Sequence, residues 1–147
     1  MQKIKFRGKR VDNGNWVYGS LIIEPNLPEF KSIYSDIRNT GKSKYLIYPI
    51  DAKEGRAKEV IPETVGQYIG IEDKNGKEIY KGDIVKARER NNISKKKHKQ
   101  EVIFYYGCFM LAMLPNKIRL RNIAAPLMEN DVEIIGNKFD NPELLKG

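Results

Sequence analysis

ETVGQYIGIEDKNGKEIYKGDIV, residues 63–85, is the stretch on which the fold turns. Two runs rich in β-branched and aromatic residues flank Asp73-Lys74-Asn75-Gly76. Asn-Gly between such runs is the strongest short-range hairpin signal, because a tight hairpin turn needs positive φ and glycine supplies it without strain. Gly82-Asp83 makes a second turn and feeds Ile84 and Val85 into a third strand, so the centre of the chain reads as a small β-meander. Asp83, at a turn, is expected to bond nearby backbone N–H groups rather than a ligand. Gly66, Gly70 and Gly82 are expected at bulges or bends where a small barrel closes.

Toward the N-terminus, residues 2–7 alternate, with Lys3, Lys5 and Arg7 on one side and Ile4 and Phe6 on the other. That period predicts a half-buried strand with a basic outer face. Asn13-Gly14 predicts a hairpin turn, and residues 16–23 the returning strand. Trp16, the only tryptophan, is expected as a core anchor, with a surface stacking platform as the minority reading. Residues 24–40 leave helix and short strand open. Residues 45–50 form a short apolar run that Pro49 places near a sheet edge. Residues 51–59 read as a loop or one helical turn.

Toward the C-terminus, the third strand continues through Lys86, Ala87 and Arg88. Residues 91–99 are apolar only at Ile93 and highly charged, which predicts a mobile hairpin tip. Residues 101–106 return as a strand, Gly107 breaks it, and residues 108–114 form another. Pro115-Asn116 is a turn signal. Residues 118–123 alternate, placing Arg119 and Arg121 outward, and residues 132–139 form the last strand. Asn141 as N-cap and Pro142 at the first helical position predict a short C-terminal helical turn. The count is eight to ten strands with little helix. The expected fold is mainly β: a small SH3-like or related β-barrel with extra strands. One domain over 1–147 is expected, with 1–60 as a candidate N-terminal subdomain and 61–140 as the barrel core.

Composition narrows the function classes. With 31% charged and 40% hydrophobic residues the chain matches an ordinary globular protein. No apolar run reaches 18 residues, so no membrane-spanning helix is expected, and the first residues lack the apolar core of a signal peptide. One cysteine, Cys108, fits a reducing cytoplasm, and with His98 as the only histidine it leaves no multi-cysteine zinc site. No cofactor or metal is expected. The net charge of +8 is local: residues 86–99 hold seven Lys or Arg against Glu89 alone. Lys3, Lys5, Arg7, Lys9 and Arg10 form a second cluster.

Four stretches carry a resemblance that spans the chain in order: Phe6-Arg7-Gly8-Lys9, residues 13–19 (NGNWVYG), residues 63–85, and residues 132–137 (VEIIGN) with the Asn141-Pro142-Glu143-Leu144-Leu145 ending. Together they resemble the family of small phage and prophage proteins named after YopX. The resemblance implies a mainly-β fold including a small barrel, and a phage or prophage setting within the cytoplasm of a bacterial host. It brings no catalytic residues and no established activity. Residues 24–58 and 86–131 carry none of it.

Nucleic-acid binding is the best-motivated activity. Lys86, Arg88, Arg90, Lys95, Lys96, Lys97 and Lys99 would offset phosphate charge, Tyr105 and Tyr106 would stack on bases, and Arg119 and Arg121 would extend the patch. A solvated basic loop guarding a sheet edge is the plainer alternative. A host or phage protein, or a second copy of the chain, is the rival partner, with residues 109–114 as contact surface or buried strand. An enzyme is not expected. His98 lies among lysines, Cys108 sits in an apolar strand context where thiols are buried and inert, and the triplets Asp51-Ala52-Lys53 and Glu72-Asp73-Lys74 are too common to mark a nuclease.

Overall fold

The computed structural model describes residues 1–25, 43–51, 53, 55–88, 96–117, 119–123 and 131–147. The open helix-or-strand reading of 24–40 falls almost wholly outside them, as do most of the expected 91–99 tip and residues 124–130. The described residues form eleven strands and short 3-10 turns. No helix is long and apolar enough to cross a membrane. The chain divides into two compact units, residues 5–65 and residues 66–147 with 1–4.

In the first unit, β1 (Phe6–Lys9), β2 (Trp16–Glu24), β3 (Lys44–Pro49) and β4 (Lys58–Val60) form an antiparallel sheet in the order β4-β3-β2-β1. The Asn13-Gly14 turn joins β1 to β2 as expected, with Gly14 at φ 71°. Lys58 and Glu59, expected within a loop or one helical turn, join Val60 in the edge strand, which puts β3 one strand inside the edge. Val17, Ile47 and Val60 form the core of this unit, with Phe6, Leu21, Tyr45 and Val65 packed around them. Burying Val and Ile side chains at such sites stabilises by about 1.5–3 kcal/mol each.

The strand expected over residues 2–7 begins only at Phe6, and of its expected basic face Lys3 alone is solvated. Lys5 and Arg7 are buried while Ile4 is exposed. The Arg7 guanidinium lies 4.7 Å from the centroid of the Trp16 ring, a planar cation stacked on an aromatic face. Trp16 itself is only half-buried and is not a member of the core cluster.

The second unit opens with the hairpin of β5 (Gly66–Glu72) and β6 (Glu78–Tyr80). Gly76 sits at φ 77°, and a register shift between Tyr68 and Glu72 marks a bulge around Gly70. The side chain of Asp73 organises the turn: Oδ1 accepts the N–H groups of Asn75 at 2.8 Å and Lys77 at 3.0 Å. Asp83 does the same for the second turn, its Oδ2 accepting Tyr80 N–H at 2.8 Å. Next comes a meander of β7 (Asp83–Arg88), β8 (Lys97–Tyr105), β9 (Cys108–Met113) and β10 (Leu120–Asn122). β11 (Glu133–Asn137) returns beside β7, giving the order β10-β9-β8-β7-β11. Ile69 and Ile79 of the hairpin pack against Val85, Ala87, Val102, Leu111, Ile123 and Val132 from the sheet side. Of residues 109–114, weighed as a contact surface, all but Leu114 belong to the inner strand β9, with Leu111 and Ala112 fully buried.

Among the described residues no closed barrel forms. The first sheet curls until Arg10 bridges Val60, but β4 has three residues and makes no strand pair with β1. The second sheet ends on β10 and β11, which pair on one side only. The C-terminal turn is a 3-10 helix, Pro142–Leu145, and Asn141 does not cap it with its side chain. Asn141 Oδ1 instead accepts the N–H of Asn137 at 3.2 Å, tying the turn to the end of β11.

Candidate nucleic-acid interface

Strand alternation sorts β7 and β8 into an inner and an outer face. Val85, Ala87 and Val102 point to the core, so Lys86, Arg88, Lys97 and Lys99 share the other face. The register sets Lys86 opposite Lys99 and Arg88 opposite Lys97. Like charges directly opposed across a sheet are destabilising, and acids from elsewhere in the unit answer this. Asp131, 3% exposed, accepts the Arg88 backbone N–H at 2.8 Å and lies 2.9 Å from Lys97 Nζ and 3.4 Å from Arg88 Nε. Burial alone would raise its carboxyl, but the bonds from Lys97 and the Arg88 N–H outweigh it and hold the group below the usual carboxylate range.

Glu133 lies beside Lys86 on β11, yet its carboxylate is taken by Lys74 Nζ at 2.7 Å. The hydrogen bond and charge of Lys74 hold Glu133 below its ordinary value. Lys99 Nζ donates to the carbonyl of Lys146 at 2.7 Å. Glu101, also nearly fully buried, takes Lys117 and Lys138. Among the described residues Lys86 makes no ion pair. The face is therefore cationic, but less so than the count over 86–99 implies.

The other expected ligands separate. Lys96 is exposed beside this face, whereas Arg90 and Lys95 lie outside the described residues. Arg119 is exposed. Arg121, expected outward, turns to the inner side, where its Nε donates to Oε1 of the fully buried Gln100 at 3.0 Å. Tyr105 and Tyr106 sit at the β8–β9 hairpin tip. Lys97 and Tyr105 are eight residues apart on one extended strand, or about 26 Å at the usual rise. Tyrosines close to the lysines in sequence are thus far from them in space. Their rings meet each other instead, edge to face with centroids 4.5 Å apart.

Two expectations about reactive groups also resolve. Cys108 is exposed, not buried, because it occupies the hairpin tip where β9 begins. His98, expected to be exposed among the lysines, is half-buried opposite Ala87. Among the described residues no group of three or more His, Cys, Asp or Glu could hold a metal ion.

The family model described as YopX protein matches residues 5–146. The chain belongs to the YopX protein family. The fold of this YopX chain is similar to the crystal structure of protein EF1440 from Enterococcus faecalis, at a TM-score of 0.55 and 21% identity. That alignment covers 99% of this chain and 100% of the other, and at that identity it speaks for the fold alone. None of the curated proteins searched matches.

Sequence reasoning missed Asp131 as the partner of Arg88, because 43 residues separate them. It also missed the pairing of Tyr48 with Ser20, which sets a third aromatic on the outer face of the first sheet beside Trp16 and Tyr18. The spacing of Trp16 and Tyr18, two apart on one strand, was the available signal for that face.

Proposed function

We propose that this YopX-family protein is a non-enzymatic accessory module of phage or prophage origin that binds nucleic acid in the cytoplasm of its bacterial host. The observation that supports the reading is the pair of directly opposed cation rows, Lys86 with Lys99 and Arg88 with Lys97. Asp131 compensates one row; a phosphate set over the other would relieve its repulsion and release counterions.

The test is fluorescence anisotropy of labelled single- and double-stranded DNA and RNA across a salt series. Micromolar or tighter binding with a steep salt dependence is expected. For single strands each phosphate contact contributes about 0.7 to the slope of log K against log salt. Lys86→Ser with Lys99→Ser should therefore flatten the slope by about 1.4. No binding at low salt, or an unchanged slope in the double variant, refutes the reading.

A protein partner is the second reading, favoured by the β8–β9 tip. Phe104, Tyr105 and Tyr106 are 52, 47 and 89% exposed, and no charged residue occurs from 102 to 116. Tyr106 holds φ 47° in a turn position that suits Asn or Gly. A neutral aromatic knob of this kind suits an apolar pocket on a host or phage protein, or on a second copy.

A further inference from the structure

The outer face of the first sheet carries a second arrangement. Along β2, Val17 and Leu21 point to the core, which turns Trp16, Tyr18, Ser20 and Ile22 the other way. Pairing of Ser20 with Tyr48 places Tyr48 on that same outer face. Ile50 continues the row, its N–H bonded to the Tyr18 carbonyl at 3.1 Å. Tyr18, Tyr48 and Ile50 are 42, 46 and 63% exposed. A cavity of about 530 Å3 opens here, lined by Trp16, Tyr18 and Ile50 together with Arg10, Asn15 and Asp51. Arg10 is fixed by two bonds to the Asp12 carboxylate, at 2.9 and 2.6 Å.

This lining has the chemistry of a nucleobase site. Aromatic side chains give a stacking wall, the Asn15 amide both donates and accepts, and the Asp51 carboxylate accepts from an amino group. Positive charge stands at the wall: the partly buried Lys9 lies 5.6 Å from the Trp16 ring centroid, and Arg7, buried and stacked on that ring at 4.7 Å, adds its field from within the fold rather than a direct contact. Cations at that place suit a ligand carrying phosphates better than a neutral, proline-rich peptide, the other common guest of tryptophan–tyrosine walls. We propose that this face binds an unstacked base of a single-stranded nucleic acid. The surface is distinct from the β7–β8 cation rows, so the inference stands or falls separately from theirs.

Trp16 is the only tryptophan, which makes intrinsic fluorescence a report from this one site. The full chain is titrated with a single-stranded oligothymidylate of roughly 10 nucleotides, a usual site size for a small β module. Quenching of Trp16 is expected with the single strand and not with a duplex of the same length. Tyr18→Ala changes an exposed residue of the cavity lining and should weaken the quenching titration roughly tenfold, with Tyr18→Phe restoring it; Tyr48→Ala, on the same face but outside the lining, should weaken it less. Quenching that persists in Lys86→Ser with Lys99→Ser supports this site even if the β7–β8 reading fails. Binding seen by anisotropy without any Trp16 change overturns this site and leaves the β7–β8 reading intact. Quenching by a proline-rich peptide and not by the oligonucleotide also overturns it, as does an affinity unaffected by the tyrosine changes.

Discussion

Replacing Asp73 with alanine should destabilise the second unit more than any change at the proposed binding faces. Its carboxylate accepts three backbone N–H groups: Asn75 at 2.8 Å, Lys77 at 3.0 Å and, across 61 residues, Ile134 at 3.0 Å. Two of those bonds shape the β5–β6 turn and the third pins it to β11. The residue is 7% exposed, so water replaces the lost acceptor poorly. Hydrogen bonds to a charged group contribute about 1.5–3 kcal/mol each. Three bonds with partial rehydration of the turn N–H groups give a loss of about 3–4 kcal/mol in Asp73→Ala. At this chain length that is roughly 10 °C in Tm. Asp73→Asn keeps one acceptor oxygen but turns an amide N–H toward a donor, and should lose about half as much. Urea unfolding at neutral pH followed by circular dichroism measures both. If Asp73→Ala lies within about 0.5 kcal/mol of the parent, the range of an ordinary surface substitution, the account of this turn is wrong.

Asp131→Asn should act in opposite directions on two readouts. Loss of its pairs with Lys97 and Arg88, discounted because both partners are partly exposed, should reduce stability by about 1–2 kcal/mol. Release of the two cations should steepen the salt dependence of nucleic-acid binding; a flatter slope would contradict the placement of the cation rows. Acid sensitivity follows from Asp73 and Asp131. In each, burial alone would raise the carboxyl, but hydrogen-bond donors outweigh it and hold it below its ordinary value. Depressed carboxyls stabilise the fold above their unfolded pKa of about 3.9, and that contribution is lost as pH falls through the folded values. Stability should thus be nearly flat from neutral pH to about pH 4.5 and fall below it, with a shallower fall in Asp73→Asn than in the parent. Tyr106→Asn should stabilise the chain by about 0.5 kcal/mol, since asparagine tolerates the φ of 47° better and little packing is lost. A lower urea midpoint for Tyr106→Asn would mean that the tip tyrosine supports the fold and is not held there for a partner.

What the sequence determined by itself was local. Asn75-Gly76 and Gly82-Asp83 set their turns because positive φ and side-chain acceptance of N–H groups act within about four residues. Alternation drew most strands correctly for the same reason. It failed on residues 58–60, whose pairing with β3 spans a long loop and leaves no pattern in three residues. Tertiary structure decided which charges are neighbours. Asp131 reaches Arg88 and Lys97 only because β11 returns beside β7, and no local rule predicts that return. It also parted Tyr105 from Lys97, since an extended strand carries residues apart at about 3.3 Å per step. The pairing of β2 with β3 set Tyr48 on the face of Trp16 and Tyr18. A basic run or an aromatic pair is a statement about composition along the chain, whereas a binding face depends on strand register and strand order, which long-range packing fixes.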